Sequence, residues 1–213
     1  MINKNIIWDW NGTIVNDASV FVVVMNSVLS RQGLKKISLE DYKQNFCFPI
    51  KKYWSFLGFK FDDSSFNKMN KEFISLYKKK MFSPSLHCGI VDVFKILKKH
   101  GLSQFVLSAS ESSLLRESVS HYNIQSFFLD IWGVNNLNAL GKESLALDLI
   151  KQYNLDPKET LLIGDTEYDL KVALAIGCRA LLVSFGHFHK SRLVGLGPVV
   201  VDSPSKIPSF VFS

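Results

Sequence analysis

The chain has 213 residues, of which 47% are hydrophobic and 21% are charged, with a formal net charge of +6 at pH 7. This composition supports one substantial core or two small ones and excludes disordered and collagen-like chains. No apolar run approaches the roughly 20 residues that cross a bilayer, which excludes an integral membrane protein and leaves no reason to expect a membrane partner. The acidic residue Asp9 interrupts the start of the chain before an apolar stretch long enough for the core of a signal peptide, so we expect a cytoplasmic protein.

The cysteines and the positive charge point to no special class of protein. The 3 cysteines, Cys47, Cys88 and Cys178, are far apart and odd in number, so they predict neither a disulfide framework nor a metal clip. The lysines occur in scattered pairs and one short run, residues 78–80, and do not form an arginine-rich stripe. We therefore expect no nucleic-acid partner, and a small anionic substrate accounts for the charge equally well.

The first part of the chain predicts one strand followed by a block of helices. Residues 5–10 form a short apolar stretch that ends at Asn11-Gly12, as expected for a buried strand and a tight turn. From about residue 20 to residue 80 the pattern is helical, with short breaks and no convincing strand. The predicted helices are residues 20–31, 39–47, 50–57 and 64–80.

After Pro84 the pattern alternates between helices and strands, which predicts a parallel sheet covered on both faces. The Ser/Pro-rich residues 202–208 are interpreted as a surface tail. The predicted helices are residues 91–100, 111–122, 142–153 and 168–176. The predicted strands are residues 104–108, 127–132, 160–163, 179–183 and 199–201.

These elements predict an α/β fold with a Rossmann-like parallel sheet and an inserted all-helical cap. The insertion between the first two strands is too long, at about 65 residues, for an ordinary connection, and it is a candidate lid. We expect residues 1–16 and 83–213 to form the α/β core and residues 17–82 to form the cap domain.

Polar residues follow several predicted strands, at the edge where open α/β sheets bind their ligands. Carboxylates gathered there repel one another unless a divalent cation lies between them, and hard oxygen ligands suit Mg²⁺. A lysine and hydroxyl groups beside the metal would complete a site for a phosphoryl group. The residues are Asp9, Asn11, Gly12 and Thr13 after the first strand, Ser108, Ala109 and Ser110 after the second, Lys142 at a helix start, and Asp165, Thr166, Glu167 and Asp169 after the strand at 160–163.

Four short motifs follow one another along the chain, and the resemblance that they carry spans essentially the whole chain. They are Asp9-x-Asn11-Gly12-Thr13, Ser108, Lys142 and Gly164-Asp165-x-x-x-Asp169. Any one of them arises readily by chance, but four at predicted strand ends or helix starts are specific together. With them the sequence resembles the haloacid dehalogenase superfamily of hydrolases, in the phosphoglycolate phosphatase-like branch that has a helical cap after the first strand.

The resemblance implies phosphoryl transfer in two steps. Asp9 would attack phosphorus and form an aspartyl-phosphate, which water then hydrolyses. Mg²⁺ would offset the repulsion between carboxylate and phosphate. The metal ligands that the resemblance implies are Asp9, the backbone carbonyl of Asn11, Asp165 and, directly or through water, Asp169.

The resemblance also implies a small anionic phosphorylated metabolite as the substrate, with phosphoglycolate the best-known one in the family. Ser108 and backbone N–H groups near Gly12 would hold phosphate oxygens, Lys142 would neutralise charge on Asp9 and the phosphoryl group, and Thr13 would shape the turn. The candidate substrate-binding residues are Gly12, Thr13, Lys51, Ser108, Ala109 and Lys142.

Two positions depart from the family pattern. The family usually has a second Asp two places after the nucleophile, as the general acid that protonates the leaving oxygen, and this chain has Asn11. An amide cannot transfer that proton, so we expect low activity or an unusual leaving group. The other departure is Asn16, where the family often has Asp.

Two other functions remain open. Phosphonoacetaldehyde hydrolase, a related enzyme that cleaves a C–P bond, also lacks the second Asp and uses a cap lysine, for which Lys51 is the candidate. A non-catalytic phosphate-binding protein would have kept the site after losing its acid. Dehalogenation of haloacids is disfavoured, because that branch needs no metal and lacks the paired acids of residues 164–169.

Several of these residues also have ordinary structural interpretations. Asp9 and Asn11 suit a turn after a strand, and Ser108 suits a helix cap. Residues 46–54 combine aromatics and lysines around a proline and predict a cap loop or a solvated helix start. His187 and His189 have the spacing of metal ligands, but no further ligands lie nearby in sequence, so we expect surface or rim residues.

Overall fold

A computed structural model describes residues 3–134 and 141–213. Within them, six parallel strands form one sheet in the order β3-β2-β1-β4-β5-β6. This is the doubly wound order, in which strands are added first on one side of β1 and then on the other, with a switch point beside β1. The predicted α/β fold with a Rossmann-like parallel sheet is confirmed. The strands are β1 (Asn5–Trp8), β2 (Ser103–Glu111), β3 (Asp130–Val134), β4 (Thr160–Gly164), β5 (Arg179–Val183) and β6 (Val199–Val201).

The eight predicted helices begin and end within a few residues of the predicted positions. Four of them, α1 (Ala18–Arg31), α2 (Leu39–Asn45), α3 (Ile50–Phe56) and α4 (Asp63–Lys78), lie between β1 and β2. We call residues 18–78 the helical segment. The helices that follow are α5 (Ile90–Lys99), α6 (Ser112–His121), α7 (Lys142–Gln152), α8 (Glu167–Ala175), α9 (Lys190–Leu193) and α10 (Ile207–Val211). Two short helices, α9 and α10, were not predicted.

The central strands are buried on both faces, as parallel sheets require. Successive side chains of β1 alternate between two hydrophobic clusters: Ile6 and Trp8 join one and Ile7 joins the other. The first cluster includes residues of α5, α6 and α10, and the second includes residues of α7 and α8. Helices therefore cover the sheet on both sides, which leaves the edge at the strand ends for ligands.

The helical segment has its own apolar cluster, which extends to the rest of the chain. Met25, Tyr42 and Trp54 are fully buried in it, together with Phe188 and Leu193 from the region after β5. The segment is thus packed against the strand-end side of the chain near residue 188. None of the helices in residues 3–134 and 141–213 is long and apolar enough to cross a membrane.

Two boundaries differ from prediction around β2 and β3. β2 continues to Glu111, beyond the predicted end at residue 108, and its pairing with β3 shifts register between Leu107 and Glu111. β3 begins only at Asp130, because residues 125–127 form a 3-10 turn instead of strand. The apolar run Phe127-Phe128-Leu129, which begins at the last residue of this turn, gave the sequence the appearance of a longer strand.

The interpretation of residues 202–208 as a surface tail is wrong. Pro204 starts a 3-10 turn that leads into α10, and Ile207 and Val211 are buried in the same cluster as Ile6 and Trp8. The side chain of Asn3 also donates a hydrogen bond to the carbonyl of Val211 at 2.8 Å. The two buried residues lie four apart, on one face of a helix, among serines and prolines that suggested a tail.

Candidate active site

Three carboxylates meet at the carboxyl ends of β1 and β4, which are neighbouring strands. Asp9 directly follows β1, Asp165 directly follows β4, and Asp169 lies in the first turn of α8. One oxygen from each lies within 4.8 Å of the others. Asp165 and Asp169 are almost completely buried, so their charges are poorly solvated.

The turn after β1 approaches these carboxylates closely. Gly12 has φ of 78°, and a Cβ there would lie 2.3 Å from an oxygen of Asp165, so only glycine fits. The Thr13 hydroxyl lies 3.3 Å from Asp9 Oδ2 and 3.4 Å from Asp165 Oδ1. The sequence had predicted Gly12 as a phosphate ligand, but its N–H donates to the carbonyl of Val15 and to Asp17, both at 2.9 Å. This N–H is therefore used within the turn.

Lys142 joins two of the three acids. Its Nζ donates to Asp9 Oδ1 at 2.5 Å and to Asp169 Oδ1 at 2.6 Å, and the residue is 3% exposed. Burial opposes the charged ammonium, but the two carboxylates outweigh it and raise the pKa of Lys142. The lysine is therefore a fixed positive charge beside Asp9, at the first position of α7.

The acids still carry more negative charge than their surroundings favour. Burial raises the pKa of Asp9 to about 6, against the lowering effect of Lys142. Burial also raises the pKa of Asp165 to about 8, and the charges of Asp9 and Asp169 add to this, although His187 lowers it. A buried set of carboxylate oxygens with too little positive charge fits a hard divalent cation such as Mg²⁺.

The acids differ in the oxygens they can offer to a ligand. Asp169 Oδ1 accepts from Lys142, and its Oδ2 accepts from the backbone N–H of Thr166 at 3.0 Å and from the Thr166 hydroxyl at 2.7 Å. This capping box at the start of α8 explains why Asp169 stands three residues after Thr166. Asp165 accepts from the His187 backbone N–H through Oδ2, whereas its Oδ1 has, among the described residues, only the long contact to Thr13. Asp165 is thus the better placed of the two to bind a cation directly.

A second buried network surrounds Asp17, which the sequence had assigned only to the start of the cap. Its Oδ1 accepts from His187 Nε2 at 3.1 Å, and its Oδ2 accepts from the Tyr77 hydroxyl at 2.6 Å and from Asn11 Nδ2 at 2.7 Å. Burial raises the pKa of Asp17, but His187 and the other donors outweigh it and lower the pKa overall. Burial lowers the pKa of His187, but the opposite effect of Asp17 is larger, and the pKa is raised to about 9. These two residues therefore form a buried ion pair.

The prediction that His187 lies at the surface or rim is wrong. His187 is 5% exposed, and its Nδ1 shares a hydrogen bond of 2.7 Å with the hydroxyl of Tyr42. His189 is half-buried, and its Nδ1 accepts from the backbone N–H of Ser191 at 3.2 Å. The two rings thus have different partners, because side chains two residues apart in this irregular segment face different parts of the protein.

The side chain of Asn11 is held from three directions. Its Nδ2 donates to Asp17 and to the Tyr77 hydroxyl, the latter at 2.8 Å, and its Oδ1 accepts from the Ser110 hydroxyl at 3.0 Å. Tyr77 belongs to α4 and Ser110 to β2. The amide therefore links the turn after β1 both to the helical segment and to the next strand.

A cavity of about 420 Å³ connects the strand ends with the helical segment. Most of the residues proposed from the sequence line it, and so do Ser110, Thr166 and His187. Gly12 and Thr13 lie beneath its surface and are absent from the lining. The lining residues that the sequence singled out for catalysis or binding are Asp9, Asn11, Ser108, Ala109, Lys142, Asp165 and Asp169.

The structure does not bring Lys51 to this cavity. Ile50 is among the lining residues and Lys51 is not. The Lys51 Nζ lies 5.7 Å from the centroid of the Phe66 ring, and the residue is exposed. Helical periodicity accounts for this, because Ile50, Tyr53 and Trp54 share the inward face of α3 and Lys51 does not.

Comparison with known proteins gives the same family assignment as the four sequence motifs. A sequence model of the family described as haloacid dehalogenase-like hydrolase matches residues 6–183. Among solved structures, a predicted phosphatase from Clostridium acetobutylicum matches with a TM-score of 0.86 and 19% identity, over 99% of both chains. A haloacid dehalogenase-like family hydrolase from Streptococcus pneumoniae matches with a TM-score of 0.83 and 18% identity, over 98% of both chains.

Curated relatives come from the predicted branch of the superfamily. A phosphoglycolate phosphatase from Vibrio vulnificus is 22% identical over 124 residues, which are 57% of this chain and 54% of that protein. One from Pseudomonas fluorescens is 20% identical over 211 residues, 95% of this chain and 77% of the relative. The first of these matches thus spans about half the length of the relative. The chain belongs to the haloacid dehalogenase-like hydrolase family.

Proposed function

We propose that this chain is a Mg²⁺-dependent phosphatase that hydrolyses phosphate monoesters of small molecules through an aspartyl-phosphate on Asp9. One observation carries the proposal: Asp9 is held by Lys142 at 2.5 Å, within 4.8 Å of two further carboxylates, and it lines a cavity. The relatives named phosphoglycolate phosphatase support a small anionic phosphorylated metabolite as the substrate.

In this proposal residues 1–16 and 83–213 form the core domain and residues 17–82 form a cap. The support is that Phe21 of α1 and Tyr77 of α4 line the same cavity as Asp9. Hydrogen bonds from Asn11 to Asp17 and from Asn11 to Tyr77 fasten the cap to the turn after β1. A cap closed in this way excludes water from the reacting groups.

In the first step an oxygen of Asp9 forms a bond to phosphorus as the bond between phosphorus and the ester oxygen breaks. The ammonium of Lys142 stabilises charge on Asp9 and on the phosphoryl oxygens, and it is already in contact with the nucleophile. The Ser108 hydroxyl lines the cavity and donates to a phosphoryl oxygen. In the second step water adds to phosphorus and the carboxylate of Asp9 is released.

Asp9, Asp165 and the backbone carbonyl of Asn11 would hold Mg²⁺, with Asp169 contributing through water because Lys142 and Thr166 occupy its oxygens. The bound cation would neutralise charge between the phosphate and the carboxylates and would polarise the phosphoryl group. The oxygen donors of the cluster and their shortage of positive charge support this assignment.

The test is phosphate release from a panel of monoesters, with Mg²⁺ and with a chelator. Asp9→Asn removes the nucleophile with almost no change in shape, and we expect kcat to fall at least about 10³-fold. Asp92→Asn, an exposed acid on α5, is the matched control and should leave kcat unchanged. Equal rates in Asp9→Asn and the wild type, or full activity with chelator, would contradict the proposal.

Of the other two candidates, one gains support from the structure. The C–P hydrolase would need a lysine of the cap in the cavity wall. Its candidate, Lys51, is not among the lining residues, and the cap lysine that does line the cavity is Lys78, at the end of α4. A phosphate-binding protein without turnover is favoured by Asn11, whose amide is engaged in a network and offers no acid. Calorimetric binding of inorganic phosphate by the wild type, with no release from any ester, would identify the binding protein.

A further inference from the structure

The part of the cavity wall that the helical segment forms is mostly aromatic. The rings lie close together, with the centroid of Phe21 at 4.8 Å from that of Phe73. Aromatic walls of this kind bind flat apolar groups by burying their surface and by edge or offset contacts. A volume of about 420 Å³ lies in the range of small-molecule pockets. The aromatic lining residues from this segment are Phe21, Tyr42, Phe46, Phe48, Phe73 and Tyr77.

The wall offers little to a second acidic group on the substrate. Among the lining residues that the structure describes, the basic side chains are Lys78, Lys142 and His187. Lys142 is held by two carboxylates, His187 is paired with Asp17 at 3.1 Å, and Lys78 is exposed at the end of α4. Of these three, only the exposed Lys78 could face a glycolate carboxylate, and burial of that carboxylate among the aromatic rings with so little compensation is costly. The wall therefore favours an uncharged apolar body beyond the phosphate.

A separate observation concerns the leaving group. The Asn11 amide stands at the position of the usual acid and is held by Asp17, Tyr77 and Ser110. An alcohol is about as weak an acid as water, so its alkoxide is a strong base and leaves poorly without a proton. A phenolate, whose parent acid has a pKa of about 10, leaves as a stable anion. The site therefore suits an ester that does not require general acid catalysis.

From these two features, and resting on the proposed function, we infer that the substrate is a small aryl phosphate, the phosphate monoester of a phenol. The ring lies against the aromatic wall and the phosphate lies at Asp9 and Lys142. Asp9 forms the new bond to phosphorus, the bond from phosphorus to the aryl oxygen breaks, and the phenolate leaves with the electron pair and takes a proton from water. Water then hydrolyses the aspartyl-phosphate to give inorganic phosphate.

The first experiment compares kcat/KM for three phosphate esters in the presence of Mg²⁺. Phenyl phosphate has the ring and the good leaving group, benzyl phosphate has the ring and an alkoxide leaving group, and phosphoglycolate has neither. We expect phenyl phosphate to exceed benzyl phosphate by about 10²-fold or more, the size of a missing general acid. Phosphoglycolate should be slower than both.

The second experiment tests the wall with two phenylalanines of the helical segment. Phe48 lines the cavity and is 39% exposed, whereas Phe56 is 62% exposed and does not line it. We expect Phe48→Ala to lower kcat/KM for phenyl phosphate by roughly 2- to 10-fold, which is the worth of an aromatic contact, and to leave ethyl phosphate unaffected. Phe56→Ala should change neither value.

The outcomes separate the inference from the function on which it rests. If no ester is hydrolysed, the proposed phosphatase function fails. If phosphoglycolate or ethyl phosphate is hydrolysed faster than phenyl phosphate, the phosphatase function holds and the aryl assignment is overturned. Faster hydrolysis of a phosphotyrosine peptide than of phenyl phosphate would also overturn it, because the substrate would then be a protein instead of a small molecule.

Discussion

The Asn11 side chain is in direct contact with Asp17, so the residue at one of these positions limits which residue the other can have. Its Nδ2 lies 2.7 Å from Asp17 Oδ2 and donates to it. An aspartate at position 11 would place two carboxylates at that distance, in a buried site where like charges cannot both be ionised at low cost. The amide at position 11 and the acid at position 17 are therefore a matched pair.

This pairing predicts that a double exchange will work better than a single one. We expect Asn11→Asp alone to lower the free energy of unfolding. Asn11→Asp combined with Asp17→Asn should restore only part of it, because Asp17→Asn also removes the charged partner of His187. The double variant keeps one acid and one amide in contact and gives position 11 a proton to donate. Its kcat for ethyl phosphate should rise about 10- to 10³-fold, with little change for phenyl phosphate.

The kinetic contrast between the two esters is the informative measurement. An equal gain for ethyl and phenyl phosphate would indicate a better charge balance at the metal site and would contradict acid catalysis from position 11. Unfolding by urea of four proteins, the wild type, Asn11→Asp, Asp17→Asn and the double variant, measures the coupling between positions 11 and 17 as a double-mutant cycle.

Lys142 is the other residue whose role can be isolated. It is nearly fully buried between Asp9 and Asp169, so Lys142→Met would leave both carboxylates without their cation. We expect kcat to fall by about 10²- to 10³-fold, as when a preorganised electrostatic contact is removed. Lys171→Met on α8, where the side chain is exposed and pairs with Glu167, should leave kcat unchanged. A kcat within twofold of the wild type in Lys142→Met would exclude this role.

The sequence predicted the acids and the lysine because each lies at a strand end or helix start that periodicity reveals. It did not predict the network around Asp17, whose hydrogen bonds to Tyr77 and His187 span 60 and 170 residues of the chain. Those contacts depend on how the helical segment packs on the sheet. One signal was available, because His187 follows β5, the strand beside β4, and therefore lies at the same sheet edge.

Helix starts are the elements that local sequence determines best. Ser38 and Asp41 form a capping box at α2, and Asp62 accepts from the backbone N–H of Ser65 at the start of α4. Such bonds need only neighbouring residues, so the sequence contains all the information. The predicted helix at residues 64–80 accordingly begins next to the observed start of α4.

We expect Asp62→Ala to lower the free energy of unfolding by about 1 kcal/mol, as loss of an N-cap usually does. The change should leave kcat unchanged if α4 keeps Phe73 and Tyr77 in the cavity wall. Ser75→Ala, at an exposed position in the last turn of α4, is the matched control and should be neutral or slightly stabilising, because alanine favours helices. Unfolding by urea measures both, and equal stability of Asp62→Ala and the wild type would show that this cap adds nothing.

Elements that depend on distant partners were harder to predict. α10 is only five residues long and contains proline, so its local pattern is weak. Burial of Ile207 and Val211 against the cluster that covers β1 holds it in place. The order of the six strands also depends on long-range packing, although helix and strand alternation did predict that the sheet is parallel.

At the scale of the whole molecule, the fold gathers charges that oppose its own stability. β1 and β4 are adjacent and parallel, so Asp9 and Asp165 meet at one edge and are both shielded from water. Functional sites commonly retain such unfavourable arrangements because the ligand needs them. Stability and function should therefore respond in opposite directions to removal of one of these charges.

The last prediction tests this opposition with Asp165→Asn. Asparagine keeps the shape and can still accept from the His187 backbone N–H. It removes a carboxyl group that is 1% exposed, close to two other carboxylates, and whose ionisation burial opposes by raising its pKa to about 8. We expect the melting temperature in chelator to rise, by roughly 2–4 °C for each kcal/mol gained in a chain of this size. In the wild type, Mg²⁺ should also raise it, by the equivalent of about 2.7 kcal/mol at 100 times the dissociation constant, and this response should disappear in Asp165→Asn together with the activity.

Asp130→Asn is the control, because Asp130 is a partly buried acid that pairs with Arg116 and accepts from Tyr153. These partners and a backbone N–H outweigh burial and lower the pKa of Asp130. Loss of its charge should reduce the melting temperature and leave the response to Mg²⁺ intact. Calorimetry of the three proteins, each with chelator and with Mg²⁺, gives all six values. A lower melting temperature for Asp165→Asn than for the wild type in chelator would mean that Lys142 and His187 already balance the acids, and the cluster would then need no cation.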